Sequence, residues 1–323
     1  MARVPFLVND GKGRTMLSII LPVYNEENNI ERAYQAIRDV LTPKEIDFEL
    51  VFVNDGSKDN SFVEISRLAE SVRDAKIVGL SFSRNFGKEA AIFSGLSHAT
   101  GDVCAVMDCD LQHPPETLIE MYALWEQGFE IIEGVKRSRG KENLLYKAFA
   151  KLFYKLISRS TGIEMYRSSD FKMLDRKVVN EYVNLSERNI FFRALSSWLG
   201  YKSAVVEFDV QERVSGSTKW SIRSLVKYAV GSITSFTTAP MQLITLSGIL
   251  FFLFAIVLGI QSVVKWATGH ALEGFTTVIV LILITGSLIM ISLGIIGYYL
   301  ARIYEEIKGR PRSIVKEIVK SPH

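Results

Sequence analysis

The fold is indicated first by the stretch LSIILPVYNEE, residues 17–27. Its apolar part, Leu17–Val23, has the length and composition of a strand that is buried on both faces of a parallel sheet. Asn25 and two acidic residues follow it and open the helical pattern Ile30–Leu41, as polar residues commonly do at the start of a helix. A buried strand that leads through a polar loop into a helix is the unit from which α/β sheets are built.

Three further apolar runs repeat this unit, and each ends in a polar cluster. Strands that alternate with helices predict a doubly wound, mostly parallel sheet, in which ligands bind at the carboxyl ends of the strands. A single polar loop would be an ordinary turn or helix cap, but four of them at one edge predict a binding site. The runs are Phe48–Val53, Ile77–Phe82 and Val103–Met107, followed by NDGSKD (54–59), RNFGK (84–88) and DCD (108–110).

The composition excludes several classes of protein. The chain has 323 residues, enough for one α/β domain with an appendage, and its net charge of +3 is too small to indicate a nucleic-acid partner. Cys104 and Cys109 lack CxxC spacing, which argues against a zinc site or a disulfide framework and favours a reducing compartment. The first 16 residues lack an apolar core, so we predict no secretory signal and place catalysis in the cytosol.

Two long uncharged stretches occupy the C-terminal part of the chain. The first, Met241–Val264, would extend about 36 Å as a helix and cross a hydrocarbon core of about 30 Å. The second lies between Glu273 and Arg302, with a span at about 276–301. A pair of buried core helices is the alternative, but uncharged helices of this length are typical of membrane spans. We therefore predict a transmembrane hairpin at 236–304.

Basic residues flank this hairpin on both outer sides, whereas the charges of its short connection nearly cancel. The positive-inside rule places both flanks in the cytosol. We predict a cytosolic catalytic domain at 1–235, the hairpin at 236–304 and a cytosolic tail at 305–323. This topology predicts a multi-pass protein of the inner (cytoplasmic) membrane, with the lipid bilayer as a partner. The basic residues are Lys219, Arg223 and Lys227 before the hairpin and Arg302, Lys308, Arg310 and Arg312 after it.

Two other segments carry amphipathic helical patterns. In residues 141–160, an apolar stripe adjoins basic residues at every fourth position, and Ile222–Ile233 forms a similar stripe before Pro240. A helix with this pattern lies on anionic lipid, with its apolar side inserted and its lysines extended to the headgroups. The alternative is a helix packed on the domain core with a solvated basic face. We predict that both segments are interface helices.

Asp108 and Asp110 form the strongest chemical signal in the sequence. With one residue between them at a strand end, their side chains can face the same space. Two adjacent carboxylates repel each other, so a divalent cation is their natural partner, and Gln112 adds another oxygen. Mg²⁺ or Mn²⁺ there would neutralise the charge that develops on a diphosphate as a sugar leaves. An Asp-x-Asp pair alone is common in turns, so its position after a buried strand is what supports this interpretation.

Four motifs together resemble family 2 glycosyltransferases, in particular the dolichol-phosphate mannosyltransferase branch. The closer resemblance is to bactoprenyl-phosphate glucosyltransferases of the GtrB type, and it extends from about Leu17 to Lys316. It adds RNFGK, SERN (186–189) and the C-terminal hairpin to the match. The resemblance implies a GT-A fold, a Rossmann-like α/β domain, here with amphipathic interface helices and the two-helix transmembrane hairpin. The motifs are PVYNE (22–26), NDGS (54–57), DCDLQHPPE (108–116) and RVSGSTKW (213–220).

The resemblance also implies which residues bind the donor, a nucleotide-diphosphate sugar. The nucleoside would be held by Pro22, Tyr24, Glu26 and Asp55, with Asp55 at a base edge or the ribose. Asp108, Asp110 and Gln112 would hold the metal and the diphosphate, and Asp110 counts among the catalytic residues.

Asp170 matches an acidic position that is treated as catalytic in this family. It would align the acceptor or take a residual proton. The alternatives are a helix N-cap or an ion pair with Lys172 or Arg176. Relatives usually carry a glycine before this aspartate, where the present chain has Ser169. Lys88 would contact the diphosphate or cap a helix, and the sequence leaves both roles open.

Arg213, Ser217 and Lys219 match a flexible loop that closes over the donor and acceptor phosphates. Arg213 and Lys219 would supply the catalytic charge that brings two anions together. The acceptor phosphate is already ionised at neutral pH, so a strong general base is not required. Arg188, next to Glu187, is predicted to bind the acceptor phosphate, with a surface ion pair as the alternative.

The predicted activity is the inverting, metal-dependent transfer of a hexose to undecaprenyl phosphate, a polyprenyl phosphate, which makes a lipid-linked sugar. The closer resemblance favours glucose from UDP-glucose, and mannose or another sugar stays open. A processive polysaccharide synthase needs more membrane helices and a Gln-x-x-Arg-Trp motif that this chain lacks. A non-enzymatic membrane scaffold is the other alternative, and the intact acidic and basic site residues argue against it. A membrane-bound homo-oligomer is compatible with these predictions.

Overall fold

The computed structural model describes residues 15–137, 169–185, 187, 192–193, 198–209, 239–268 and 274–322. It divides into two units, the first Met1–Trp220 with Pro311–His323 and the second Ser221–Arg310. Several predicted features lie outside the described residues. They are the interface helices at 141–160 and 222–233, the loop residues Arg213, Ser217 and Lys219, and Arg188.

The first unit is built on one mixed sheet. Its described strands are β1 (Met16–Val23), β2 (Asp47–Asn54), β3 (Lys76–Phe82), β4 (Val103–Val106), β5 (Ile131–Lys136), β6 (Lys172–Asp175), β7 (Ser203–Phe208) and β8 (Val315–Lys320). They lie in the order β7-β5-β6-β4-β1-β2-β3-β8. The four strands β4, β1, β2 and β3 are parallel, whereas β6 and β8 run antiparallel to β4 and β3. The predicted mostly parallel α/β sheet is therefore confirmed.

The helices of the first unit cover this sheet with their apolar faces. In α1 the buried residues recur three or four positions apart, from Ile30 through Ile37 to Leu41. Each such side chain contributes about 1.5–3 kcal/mol when it is fully buried. The described helices are α1 (Ile30–Leu41), a 3₁₀ turn (Thr42–Lys44), α2 (Ser61–Ser71), α3 (Lys88–His98), α4 (Thr117–Glu126) and α5 (Arg176–Asn184).

Strand β8 lies within residues 305–323, which were predicted from the sequence to be a cytosolic C-terminal tail. This strand pairs antiparallel with β3 through residues 78–82 and closes that edge of the sheet. Gly79 makes room for it, because a Cβ at this glycine would lie 2.6 Å from Cγ2 of Val319. Val319 packs against the core of the first unit. The C-terminal segment is thus part of the catalytic fold.

The second unit consists of the helices α6 (Ala239–Ala267) and α7 (Phe275–Ile307). They contain two stretches, Met241–Lys265 and Val278–Ile307, that are long and apolar enough to cross a membrane. Their large apolar side chains are mostly exposed, as Leu243 and Met290 illustrate. A soluble protein would bury such side chains, so the observed exposure matches the predicted spans at about 241–264 and 276–301.

Candidate active site

A cleft of about 410 Å³ opens at the carboxyl ends of β1, β2 and β4. It contains the four residues predicted to hold the nucleoside together with Asp108 and Asp110, although these lie far apart in the sequence. The topology accounts for this, because parallel neighbouring strands end at the same edge of the sheet. Gln112 is not among the lining residues of the cleft. The lining residues are Pro22, Val23, Tyr24, Glu26, Asp55, Asn85, Gly87, Lys88, Ala91, Asp108, Cys109 and Asp110.

Hydrogen bonds join the loops after β1 and β2 into one wall of the cleft. The backbone N–H of Asn25 donates to Oγ of Ser57 (2.9 Å), and the N–H of Lys58 donates to Oδ1 of Asn25 (2.8 Å). Gly56 adopts a φ of +65°, and a Cβ there would lie 2.4 Å from the backbone carbon of Arg84. Only glycine combines this backbone conformation with so close an approach. Beside this wall Tyr24 is 46% exposed, so its ring is accessible to a ligand.

Asp55 connects this wall to the loop after β3. Its two carboxylate oxygens accept hydrogen bonds from the backbone N–H groups of Phe86 (2.6 Å) and Gly87 (2.9 Å). Burial raises the pKa of Asp55, and the two N–H groups only partly oppose that rise. Each carboxylate oxygen has a second lone pair, so Asp55 can still accept a hydrogen bond from a base or a ribose.

Asp108 and Asp110 lie at the end of β4 in a firmly supported turn. The backbone N–H of Asp108 donates to Nδ1 of His113 (3.3 Å), and the His113 ring stacks on Phe171 with 4.7 Å between centroids. His113 is therefore a buried structural residue that supports this turn. Gln112 donates its backbone N–H to Oδ1 of Asp110 (3.1 Å). Its service as a metal ligand stays a prediction.

Lys88, the first residue of α3, links the Asp-x-Asp pair to Asp170. Its Nζ lies 2.5 Å from Oδ1 of Asp108 and 3.0 Å from Oδ2 of Asp170. Burial by itself would lower the pKa of Lys88, but the two carboxylates outweigh it and raise that pKa. Lys88 is thus a fixed positive charge between two acidic groups, rather than the simple helix cap that the sequence left open.

Asp170 is held by a second cation as well. Arg193 binds it in a bidentate manner, with Nε 2.6 Å from Oδ1 and Nη2 2.8 Å from Oδ2. Burial alone would raise the pKa of Asp170, but Lys88 and Arg193 outweigh it and lower that pKa below its ordinary value. These partners differ from the Lys172 and Arg176 considered from the sequence: Lys172 bonds Glu133 and the Arg193 carbonyl, and Arg176 bonds the Gly101 carbonyl.

Ser169 directly precedes Asp170, at the position where relatives were expected to have glycine. Its Oγ accepts a hydrogen bond from the N–H of Phe171 (3.1 Å), and its own N–H donates to Oε1 of Glu133 (2.7 Å). A serine hydroxyl that accepts from the N–H two residues later stabilises a tight turn. Ser169 therefore stabilises the turn that presents Asp170 to its two cations.

The donor set at the cleft fits a divalent cation that is shared with a ligand. No group of three or more His, Cys, Asp or Glu side chains forms a metal cluster in the described part of the chain. Mg²⁺, however, is typically bound through one or two carboxylates, completed by substrate phosphates and water. Asp108 and Asp110 supply these carboxylates at the cleft. The ammonium of Lys88 beside Asp108 shows that positive charge is accommodated there.

Two functional side chains in this arrangement were not assigned from the sequence. Arg193 was missed, although a single arginine in the apolar run from Ile190 to Leu199 was a usable signal. Lys88 was noticed at the start of a helix without a definite role. The predicted acceptor-site residues lie outside the described residues, so their roles stay predictions. They are Arg188, Arg213, Ser217 and Lys219.

Comparison with known proteins decides the family. Residues 18–183 match the family model described as glycosyl transferase family 2. The chain belongs to glycosyltransferase family 2. It is 40% identical to an uncharacterized glycosyltransferase of Synechocystis sp., over 94% of this chain and 95% of that one. It is 36% identical to the bactoprenol glucosyl transferase of Shigella phage SfII, over 93% of this chain and 97% of that one.

The fold of this family 2 glycosyltransferase is GT-A, as the resemblance implied. A solved structure of glucosyl-3-phosphoglycerate synthase from Mycobacterium tuberculosis, in complex with Mn²⁺, UDP-glucose and phosphoglyceric acid, is also similar. The two chains share 18% identity with a TM-score of 0.46, over 69% of this chain and 79% of that one. This is a likeness of fold alone. The family membership makes the protein an enzyme, a glycosyltransferase.

Proposed function

We propose that this glycosyltransferase moves a hexose, glucose from UDP-glucose, onto undecaprenyl phosphate at the cytoplasmic face of the membrane, with inversion at the anomeric carbon. The observation that carries the proposal is the cleft, where an Asp-x-Asp pair adjoins the buried Asp170 carboxylate and its two cations, Lys88 and Arg193. The near full-length similarity to bactoprenol glucosyl transferases supports a polyprenyl phosphate acceptor. The two long apolar helices support the same acceptor, because they would keep the enzyme at the bilayer.

The donor end of the cleft has groups for each part of a nucleotide sugar. The exposed ring of Tyr24 offers a face on which a base can stack, and Asp55 offers carboxylate oxygens to a base edge or ribose. Asp108 and Asp110 would hold Mg²⁺ or Mn²⁺ against the diphosphate. A cation bound there would supply positive charge to the leaving diphosphate. Lys88 adds a protein charge at the same place.

Asp170 acts in this proposal by orientation rather than by proton transfer. Its lowered pKa makes it a weak base, and its carboxylate is already occupied by Lys88 and Arg193. The acceptor phosphate is an anion at neutral pH and needs alignment more than deprotonation. Asp170 therefore fixes the two cations between the donor and the attacking phosphate oxygen. Attack on the face opposite the diphosphate then inverts the anomeric centre.

The topology of the sheet supports two membrane crossings. Strands β3 and β8 are hydrogen-bonded to each other, and the two apolar helices lie between them in the sequence. Segments of one sheet stay on one side of a bilayer, so the chain between them must cross it an even number of times. Two spanning helices satisfy this condition. The basic flanks of the helices then favour the cytosolic side, where nucleotide sugars are made.

The decisive experiment incubates the purified full-length protein with undecaprenyl phosphate, MgCl₂ and a panel of radiolabelled nucleotide sugars. We expect label to enter the lipid-extractable fraction from UDP-glucose, as a product whose sugar is released by mild acid. If label entered the lipid only from another nucleotide sugar, the proposed acceptor would stand and the proposed donor would be wrong. Label in polymer, or no labelled lipid from any donor, would contradict the proposal.

Replacing Lys88 with methionine tests the charge balance of the cleft. Without the ammonium beside Asp108, we expect the affinity for Mn²⁺ in the absence of donor to rise roughly tenfold, the equivalent of about 1.4 kcal/mol. Sugar transfer should fall at the same time, because the leaving diphosphate loses a cation. Electron paramagnetic resonance of free Mn²⁺ measures the affinity directly. The matched control is Lys58→Met, because Lys58 is an exposed lysine in the loop after β2. An unchanged Mn²⁺ affinity in Lys88→Met would contradict the proposal that the Lys88 ammonium opposes metal binding at Asp108.

A further inference from the structure

Arg312, which follows the second apolar helix in the sequence, makes contacts deep in the catalytic unit. Its guanidinium lies over the ring of Phe93, with Cζ 3.9 Å from the ring centroid. The same guanidinium donates hydrogen bonds to the carbonyl oxygens of Leu185 and Glu187. A planar fork on an aromatic face that also binds two carbonyls is a geometry that arginine provides and lysine does not.

The segment that Arg312 holds at one end binds Asp170 at the other. It runs from Leu185, directly after α5, to Arg193. At its far end the backbone N–H of Phe192 donates to Oε2 of Glu89 (2.9 Å), and the Arg193 side chain makes its bidentate pair with Asp170. Arg312 thus holds the backbone at Leu185 and Glu187, and Glu89 holds it at Phe192, next to the arginine that binds Asp170.

Helix α3 is the common support of both sets of contacts. Its Phe93 lies beneath Arg312 and beside the buried ring of Tyr182 (6.2 Å between centroids). One turn earlier, Glu89 holds Phe192, whose ring is fully buried against Tyr182 (5.4 Å). Lys88, the residue before Glu89, contacts Asp108 and Asp170 directly. Packed side chains on α3 thus connect Arg312 to the cations around Asp170.

The backbone next to Arg312 is fixed as well. The carbonyl oxygen of Ile314 accepts a hydrogen bond from the N–H of Ser83 (3.0 Å), just after β3, and β8 follows at once. Ser83 begins the loop whose Phe86 and Gly87 N–H groups hold Asp55. The backbone near Arg312 is thus held against the sheet of the first unit. This places the Arg312 side chain where it contacts Leu185 and Glu187.

We propose that Arg312 is a positioning residue for sugar transfer: it holds the backbone at Leu185 and Glu187 so that Arg193 keeps Asp170 in place. This inference rests on the proposed role of Asp170 and adds a residue from beyond the membrane hairpin to the active site. The contacts of Arg312 described above are with Phe93, Leu185 and Glu187, and none of these three residues lines the cleft. It therefore affects the alignment of the acceptor and leaves donor binding unchanged.

The test compares full-length Arg312→Met and Arg312→Lys with the wild type in the labelled-lipid assay. We expect kcat to fall about 10–100-fold in both variants, as is typical when an outer support of a functional group is removed, with the KM for UDP-glucose within about twofold. Arg310→Met is the matched control, because Arg310 is exposed and lies just before Arg312. A kcat near that of the wild type, or a loss that appears only in the donor KM, would overturn the proposal.

A double-mutant cycle separates positioning from general damage. In an Asp170→Asn background, Arg312→Met should lower kcat by no more than about twofold, because its target is already gone. An equal loss in both backgrounds would mean that Arg312 acts elsewhere and would refute the inference. If Arg312→Met does not fold, Phe93→Leu keeps both carbonyl bonds and removes the ring beneath the guanidinium. It should lower kcat in the same direction by a smaller factor, and an unchanged kcat would refute the inference.

Hydrogen exchange gives a readout that does not depend on turnover. The amides of Glu187, Phe192 and Arg193 should exchange faster in Arg312→Met than in the wild type or in Arg310→Met. Unchanged exchange would overturn the positioning role even if no substrate were known. Failure of the wild type to make labelled lipid would instead contradict the proposed function, so the two failures are distinguishable.

Discussion

Replacing Asp110 with asparagine is expected to reduce sugar transfer on the order of 1,000-fold while the protein still folds and enters the membrane. Loss of an outer-shell partner of a metal ligand already costs about 10–100-fold, and a proposed direct ligand should cost more. The fold should tolerate the change, because the asparagine oxygen can still accept the hydrogen bond from the N–H of Gln112. Initial rates of labelled-lipid formation at saturating Mg²⁺ measure the effect.

The control for this variant is Asp39→Asn, because Asp39 is a surface residue that pairs only locally with Arg38. It should retain wild-type activity and membrane insertion. Binding of Mn²⁺ in the presence of UDP should weaken in Asp110→Asn and stay normal in Asp39→Asn. Full transfer by Asp110→Asn in the presence of a chelator would contradict the metal-dependent mechanism.

Replacing Asp170 with asparagine is the second change with a large expected effect. The neutral amide leaves Lys88 and Arg193 without the charge that holds them, and Lys88 is then drawn further towards Asp108. We expect kcat to fall about 100–1,000-fold, in the range that loss of one preorganised electrostatic group produces. The KM for the donor should change little, because the nucleotide-binding wall does not contact Asp170. Steady-state kinetics with both substrates varied would show this split.

The pH profile distinguishes orientation by Asp170 from general base catalysis. The folded-state pKa of Asp170 lies below its ordinary value, so the group is fully ionised above about pH 5 and should produce no acid limb there. Glu89 is different, because burial and the nearby Asp170 charge raise its pKa to about 7. We therefore expect the wild-type kcat to change with pH near neutrality, and this change should be absent in Glu89→Gln. Asp170 cannot cause a change near neutral pH unless its pKa is raised. Its two cations, Lys88 and Arg193, instead lower that pKa.

The four parallel strands and the cleft could be predicted because each depends on local sequence. Each of these strands is a mostly apolar run, and parallel strands bring their polar ends to one edge regardless of the loops between them. Asp55, Asp108 and Asp110 were found in this way. Their positions follow from the strand ends alone.

The network around Asp170 could not be predicted on the same basis. Lys88 is 82 residues from Asp170 in sequence, and Arg193 is 23 residues away. Such pairs depend on tertiary packing, because no local spacing relates them. Strand β8 was missed for a related reason. Its sequence VKEIVK is rich in charge, as suits an edge strand, and its pairing with β3 spans the whole membrane hairpin.

Strand β8 also sets the order in which this enzyme is assembled. During synthesis, β3 is made more than two hundred residues before its antiparallel partner, and both apolar helices emerge from the ribosome in between. Until then β3 presents an open row of backbone donors and acceptors. The last strand arrives only after the anchor has been translated. The β3–β8 pair, and with it this edge of the sheet, therefore forms only after both apolar helices have been synthesised.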